Sequence, residues 1–211
     1  MSRSPSFAGV ILAAGESSRM GTDKALLPWP PPRPGQPQPT ETFLSAAIRS
    51  FDLSTDFVVI VAGKNEVSLA PVAYAHAASI VVNPNPSRGQ FSSLQVGLHA
   101  VLNHGRDAAM ITLVDRPPVS RATIQLLRDA FESAPSNIWA IVPEYSGSHG
   151  HPYLVGRELI EVFLQAPSTA SAREIEHRHQ DRIQYVAVDD PCVALNIDTP
   201  DDYAVLTAKS V

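Results

Sequence analysis

Cysteine is almost missing from this chain: Cys192 is the only one among 211 residues. A single thiol excludes an intrachain disulfide and a cysteine-ligated iron–sulfur centre, and beside a strand it reads as a small buried hydrophobe. Excess positive charge is missing too. The formal net charge of −5 argues against a nucleic-acid or anionic-membrane surface as partner. No apolar run reaches membrane-spanning length, and Met1-Ser-Arg-Ser-Pro-Ser6 offers no apolar core of signal-peptide length before Phe7, so a cytoplasmic protein is expected. A zinc site is rejected. The pairs His149/His151 and His177/His179 have no nearby cysteines, and positions i and i+2 of a helix point to different sides. There is no internal repeat and no second-domain boundary.

What remains is a chain with 44% hydrophobic residues, enough for one α/β domain over residues 1–211 with a sizeable core. Nearly uninterrupted Val/Ile-rich runs predict strands at Ala8–Leu12, Phe57–Ala62, Ser79–Val82, Ala108–Leu113, Trp139–Pro143 and Ile183–Val188. Helical patterns alternate with them at Thr42–Phe51, Ser92–Asn103, Ser120–Ser133, Arg157–Gln165, Ala170–Arg178 and Pro200–Ala208. The alternation implies a mainly parallel, mixed sheet with helices on both faces. One stretch breaks the pattern: Trp29-Pro-Pro-Pro-Arg-Pro-Gly-Gln-Pro-Gln-Pro39 is too rich in proline for a helix or an interior strand and reads as a solvated loop insertion at 29–39.

The first strand runs into Leu12-Ala-Ala-Gly-Glu-Ser-Ser-Arg-Met-Gly-Thr-Asp-Lys24. Small residues let the backbone approach a ligand closely, and exposed N–H groups in such a turn form an anion nest. Arg19 suits bidentate contact with terminal phosphate oxygens and Lys24 supplies a point charge to another phosphate. The spacing is neither a P-loop, which needs four residues between its glycines where Gly15 and Gly21 have five, nor the G-x-G-x-x-G dinucleotide fingerprint.

Extended through Ala25-Leu-Leu-Pro28, this segment resembles the L-A-[AG]-G-x-S-x-R-M-G-x-x-K-x-L-L-P motif of the MobA-like nucleotidyltransferases. It is most similar to the molybdenum cofactor cytidylyltransferase branch, through its Ala13-Ala14-Gly15. The resemblance implies a Rossmann-like, GT-A-like fold and Mg²⁺-dependent transfer of a nucleoside monophosphate from an NTP, CTP favoured, to the phosphate of a molybdopterin-type acceptor, with a recipient molybdoenzyme downstream. Relatives pass from the Leu-Leu-Pro end to the next helix by a shorter turn, which makes 29–39 an insertion beside the site.

Four further segments carry candidate chemistry. In Asn83–Leu98, Ser92 or Ser93 reads as the N-cap of a helix preceded by Gly89, whose free N–H groups favour an anion or a base edge. The family's G-x-S-S-S-L-x-x-G-L segment implies nucleotide contact by Gly89, Ser92 and Ser93, although here Phe91 precedes only two serines. Asp115 ends an apolar strand, where open α/β sheets bind ligands, and is a plausible magnesium ligand. Its other reading, a cap for the helix near Ser120, places it five residues early. The family's D-x-P motif supports the metal role, and Arg116 departs from the family in adding a cation that would either bind a substrate phosphate or weaken the metal site.

Near the C-terminus, Thr199, Pro200 and Asp202 form a capping-box pattern that explains Asp202 structurally and leaves Asp198 unexplained. The family's D-I-D-T-P-x-D ending implies that Asp198 is the second metal ligand, with Asn196 in place of the first acid. Gly150-His151-Pro152 resembles the family's acceptor-side G-H-P segment. The implied site therefore comprises Leu12, Ala13, Ala14, Gly15, Ser17, Gly89, Ser92 and Ser93 around the nucleotide, and Arg19 and Lys24 on its phosphates. Asp115 and Asp198 would hold Mg²⁺, with Arg116, Gly150, His151 and Pro152 on the acceptor. Two other readings share these features: a sugar- or alcohol-phosphate nucleotidyltransferase, and a non-catalytic molybdenum cofactor carrier.

Overall fold

The structure, a computed structural model, describes residues 5–15, 17, 20–33, 35–52, 54–167 and 169–208, with side chains as far as Leu206. Arg19, Glu16 and Ser18 lie outside the described residues. The strands are β1 (Phe7–Leu12), β2 (Pro28–Trp29), β3 (Glu41–Thr42), β4 (Phe57–Ala62), β5 (Ser79–Val82), β6 (Ala108–Leu113), β7 (Ala140–Tyr145), β8 (Ser148–His149), β9 (Tyr153–Gly156) and β10 (Ile183–Ala187). The α-helices are α1 (Phe43–Phe51), α2 (Glu66–Ala75), α3 (Gln90–Asn103), α4 (Arg121–Ser133), α5 (Arg157–Gln165), α6 (Ala172–Arg178) and α7 (Pro200–Ala208).

The main sheet runs β10-β7-β9-β6-β1-β4-β5, with β8 paired to β7. β1 lies parallel to both β4 and β6, β4 parallel to β5, and β7 parallel to β10, while β9 is antiparallel between β6 and β7. The chain goes from β1 to β4 and β5 on one side and returns to β6 on the other, so the strand order reverses between β1 and β6. Such a reversal opens a crevice beyond the carboxyl ends of those strands.

Side-chain alternation along the strands divides the core in two. Phe7, Ile11, Val58, Ile60 and Met110 face α1, α2 and α4 (Leu44, Ile48, Phe51, Leu69, Ile124, Leu127). Ala8, Val10, Leu12, Val59, Val61 and Ile111 face α3, α5 and α6 (Phe91, Leu94, Leu98, Phe163, Ile175). Each large side chain sequestered this way contributes about 1.5–3 kcal/mol. Gly97 sets how closely α3 approaches the sheet: a Cβ there would stand 2.7 Å from Val10 and 2.9 Å from Val61.

One expected cap and one strand boundary move. α3 begins at Gln90 with Gly89 as its cap, so Ser92 and Ser93 lie inside the first turn rather than capping it. The expected strand Trp139–Pro143 instead occupies Ala140–Tyr145. The proline-rich stretch is rooted by the antiparallel pair β2–β3. Trp29 packs edge-on against Phe43 at 4.9 Å, and the Tyr203 hydroxyl donates to Pro28 O at 2.8 Å. These contacts, with buried Ile197 and Leu206, fasten the segment carrying Asp198 to the root of the first loop.

Candidate active site

The crevice is built from the ends of β1 and β6. After β1, Ala13 N–H donates to Val61 O (2.9 Å), and Ala13 C=O accepts from Asn65 Nδ2 (2.9 Å). Asn65 Nδ2 also reaches Asp23 Oδ2 at 2.7 Å, and Asp23 Oδ1 accepts from Ala25 N at 3.0 Å. Ser17, at φ 47°, accepts through Oγ from Lys24 N at 3.1 Å and through its carbonyl from Met20 N at 2.9 Å. The described residues of this loop are thus fastened at both ends, a preorganisation of the kind that anion binding needs.

The two aspartates come together. Ile197 N–H donates to Asp115 O at 2.9 Å, laying the C-terminal segment alongside the end of β6. Asp202 Oδ2 accepts from Asp198 N (2.9 Å), Thr199 N (2.8 Å) and Thr199 Oγ1 (2.9 Å), and Asp202 N donates to Thr199 Oγ1 at 3.2 Å. The expected capping box therefore forms and aims Asp198 back toward β6. Lys24 Nζ stands between the two carboxylates, 2.9 Å from Asp198 Oδ1 and 3.4 Å from Asp115 Oδ2. Asn196 Nδ2 donates to Asp198 Oδ2. Asp115 Oδ1 is buried and has no hydrogen-bond partner among the described residues. An orphaned carboxylate oxygen beside a second carboxylate fits a hard divalent cation that takes its remaining ligands from phosphates and water. No group of three or more His, Cys, Asp or Glu side chains suited to a metal occurs among the described residues.

Two adjoining cavities meet here. The first, about 490 Å³, is lined by Leu12, Ala14, Gly15, Ser17, Lys24, Pro86, Gly89, Gln90, Ser93, Asp115, Asn196 and Asp198, among others. The second, about 510 Å³, is lined on its apolar side by Phe91, Leu94, Ile111 and Val142. Leu12, Gly89, Gln90, Leu113 and Arg116 line both. Arg116 Nη1 donates to Leu195 O (2.8 Å) and Ala194 O (3.4 Å). Burial lowers its pKa, with Asp115 and Asp198 pulling the other way.

Gly150, His151 and Tyr153 line the second cavity, whereas Pro152 is buried behind it and is not among its lining residues. Gly150 is obligatory on steric grounds, because a Cβ there would stand 1.9 Å from Val193 O. Val193 O accepts from His151 N at 2.9 Å. Burial, and then the Arg116 charge, push the His151 imidazole down to about 3; the ring is neutral, with Nδ1 buried and unpartnered.

Of the residues expected around the nucleotide, Ala13 turns inward, its peptide occupied by Val61 and Asn65. Ser92 is buried and lines neither cavity. Its Oγ donates to Gly89 O at 2.7 Å, and buried Asn83 Nδ2 donates to both Ser92 and Ser93 Oγ at 2.9 Å. Sequence reasoning missed Asn65, Asp23 and Asn83 as supports of these loops. Asn65 and Asn83 lie just past the carboxyl ends of β4 and β5, and that position is the signal that would have found them.

The sequence profile of the MobA-like NTP transferase domain matches residues 9–183. Over 204 residues the chain is 29% identical to the molybdenum cofactor cytidylyltransferase of Escherichia coli (strain K12), covering 95% of this chain and 94% of that protein. Over 216 residues it is 28% identical to the purine catabolism protein PucB of Bacillus subtilis (strain 168), covering 95% and 96%. Among solved structures, Rv0371c from Mycobacterium tuberculosis H37Rv is similar with a TM-score of 0.79 and 26% identity, over 97% of this chain and 100% of that one. The same mycobacterial protein in complex with manganese gives a TM-score of 0.72 at 22% identity, again over 97% and 100%.

Proposed function

Since this chain belongs to the MobA-like NTP transferase family and is a nucleotidyltransferase, we propose that it joins CMP from CTP to the phosphate of a molybdopterin-type acceptor. The observation that carries the reading is the pair Asp115 and Asp198, drawn together around Lys24 where the two cavities meet. An acceptor phosphate oxygen attacks the α-phosphorus, a new P–O bond forms, the α–β bridging P–O bond breaks, and pyrophosphate leaves with that electron pair. The attacking group is already anionic, so the reaction needs alignment and charge neutralisation more than a protein nucleophile. Asp115 and Asp198 would hold Mg²⁺, which neutralises charge on the phosphate oxygens when bound.

Lys24, in ion-pair contact with both carboxylates, serves the α-phosphate, while Arg19, from the same loop, serves the departing phosphates. Ala14, Gly15, Ser17 and Ser93 wall the nucleotide cavity. Arg116, fixed by two carbonyls at the shared wall, meets the acceptor phosphate, with Gly150 and His151 beside it. CTP is favoured by the Ala13-Ala14-Gly15 sequence and by the similarity to the Escherichia coli cytidylyltransferase.

Pyrophosphate release with molybdopterin cofactor as acceptor, comparing CTP, GTP and ATP with and without Mg²⁺, tests the reading. Selective, Mg²⁺-dependent CTP turnover is expected. Selective GTP turnover overturns the base assignment and keeps the chemistry. Turnover with sugar phosphates in place of the pterin overturns the acceptor.

A further inference from the structure

α6 presents to the second cavity a carboxylate that no described residue pairs or hydrogen-bonds with. Glu176 lines the cavity and is half-buried, and its carboxylate has no ion pair or hydrogen bond with any described residue. Its neighbour on the same helix, Glu174, is consumed by the Ser171 capping box. The groups interacting electrostatically with Glu176 are His149, Tyr153 and Tyr185. Burial raises its pKa and His149 only partly offsets this. A carboxylate partly withdrawn from water without protein donors is poorly compensated, and a ligand that supplies donors recovers that cost.

The rest of the cavity narrows what that ligand is. Phe91, Leu94, Ile111 and Val142 offer apolar walls suited to a flat ring. Arg88, Arg116 and Arg173 line the same cavity and repel a cationic ligand, so an ammonium or a free guanidinium is disfavoured. What fits is a molecule with an anionic end for the arginines and an uncharged ring with adjacent N–H donors for the carboxylate. Two oxygens of one carboxylate match two parallel N–H groups.

We infer that Glu176 is the specificity-determining residue of the acceptor cavity, accepting from the ring N–H and exocyclic NH₂ of a 2-amino-4-oxopyrimidine edge. Pterins and guanine both carry that edge. The inference rests on the second cavity being the acceptor side, and its test does not depend on turnover.

Binding of pterin (2-amino-4-oxopteridine), lumazine (the 2,4-dioxo analogue) and guanosine is followed by fluorescence and calorimetry for the full chain and its Glu176→Gln and Glu176→Ala variants. Pterin binding that weakens about 10- to 100-fold in both variants, with lumazine bound correspondingly poorly by the unmutated protein, supports the inference. Glu176→Gln keeps the shape but sets an NH₂ against a donor, and a melting temperature no lower than that of the unmutated protein shows that it is folded. Glu176-dependent binding of guanosine without pterin supports the edge recognition and overturns the pterin acceptor proposed above. Equal affinity for pterin and lumazine, unchanged affinity in Glu176→Gln, or no binding of either pterin or guanosine overturns the inference.

Discussion

Replacing Lys24 by methionine keeps an unbranched stem as far as Cε and removes the ammonium that now separates Asp115 from Asp198. Its Nζ lies 2.9 and 3.4 Å from the two carboxylates, whose side chains keep 33% and 25% of their exposure. The contact is therefore intermediate between an exposed ion pair, worth about 0–1 kcal/mol, and a buried one, whose disruption costs about 3–5 kcal/mol. Loss of the ammonium also leaves two like charges facing each other, so Lys24→Met should destabilise the protein by about 1–3 kcal/mol in EDTA. For a chain of this size that is a fall in melting temperature of roughly 2–4 °C per kcal/mol. A divalent cation filling the vacated space should restore most of the loss, whereas the unmutated protein, with Nζ in place, should respond less. Turnover should drop by about 10²–10³, the usual cost of removing one preorganised group from a developing charge. Melting curves in EDTA and in millimolar Mg²⁺ or Mn²⁺, with initial rates, check each part. An unchanged melting temperature in EDTA together with no divalent response would refute the reasoning.

Gly150→Ala should abolish acceptor turnover and lower the melting temperature while CTP binding persists, because the added Cβ displaces Val193 and with it the 194–195 carbonyls that hold Arg116; titration calorimetry against rate measurements separates the two effects. Asp190 accepts from Ser120 N (2.8 Å), Thr123 Oγ1 (2.7 Å) and Cys192 N (3.0 Å). Burial pushes its pKa up, but these donors more than offset it and hold it below its ordinary 3.8. A depressed folded-state pKa gives stability that is complete above the unfolded value and lost as pH falls through the folded one. The urea-stability gap between the unmutated protein and Asp190→Ala should thus be about 2–4 kcal/mol near neutrality and shrink below pH 3.8. Cys192 is buried, and burial followed by the Asp190 charge pushes its thiol up to about 12. Thiol reagents at mildly alkaline pH should leave it unmodified in the native protein and label it in urea, which mass spectrometry reads directly.

Strands with long Val/Ile runs were legible in the sequence: Phe57–Ala62, Ser79–Val82 and Ala108–Leu113 form at the expected residues. α2 escaped because it contains Pro71 and buries only Leu69 and Ala73, too little for a helical stripe. β9 escaped because four residues run directly into α5 without a turn signal. The mixed sheet was expected, but with β9 missed the strand that makes it mixed, antiparallel between β6 and β7, was not identified. In the site, Asp115 was legible as a strand-end carboxylate, whereas its pairing with Asp198 is a property of tertiary structure, made by the hydrogen bond from Ile197 N to Asp115 O. The position of Lys24 between them was not readable, because motif spacing describes neighbours in sequence and not across 174 residues.

The central claim is that Asp115 and Asp198 support nucleotidyl transfer where the two cavities meet. Its most direct test follows the label from α-phosphate-radiolabelled CTP into the acceptor, in the unmutated protein and in Asp115→Asn. Mg²⁺-dependent transfer that disappears in the variant while CTP still binds is the predicted result. Undiminished transfer by Asp115→Asn would contradict it.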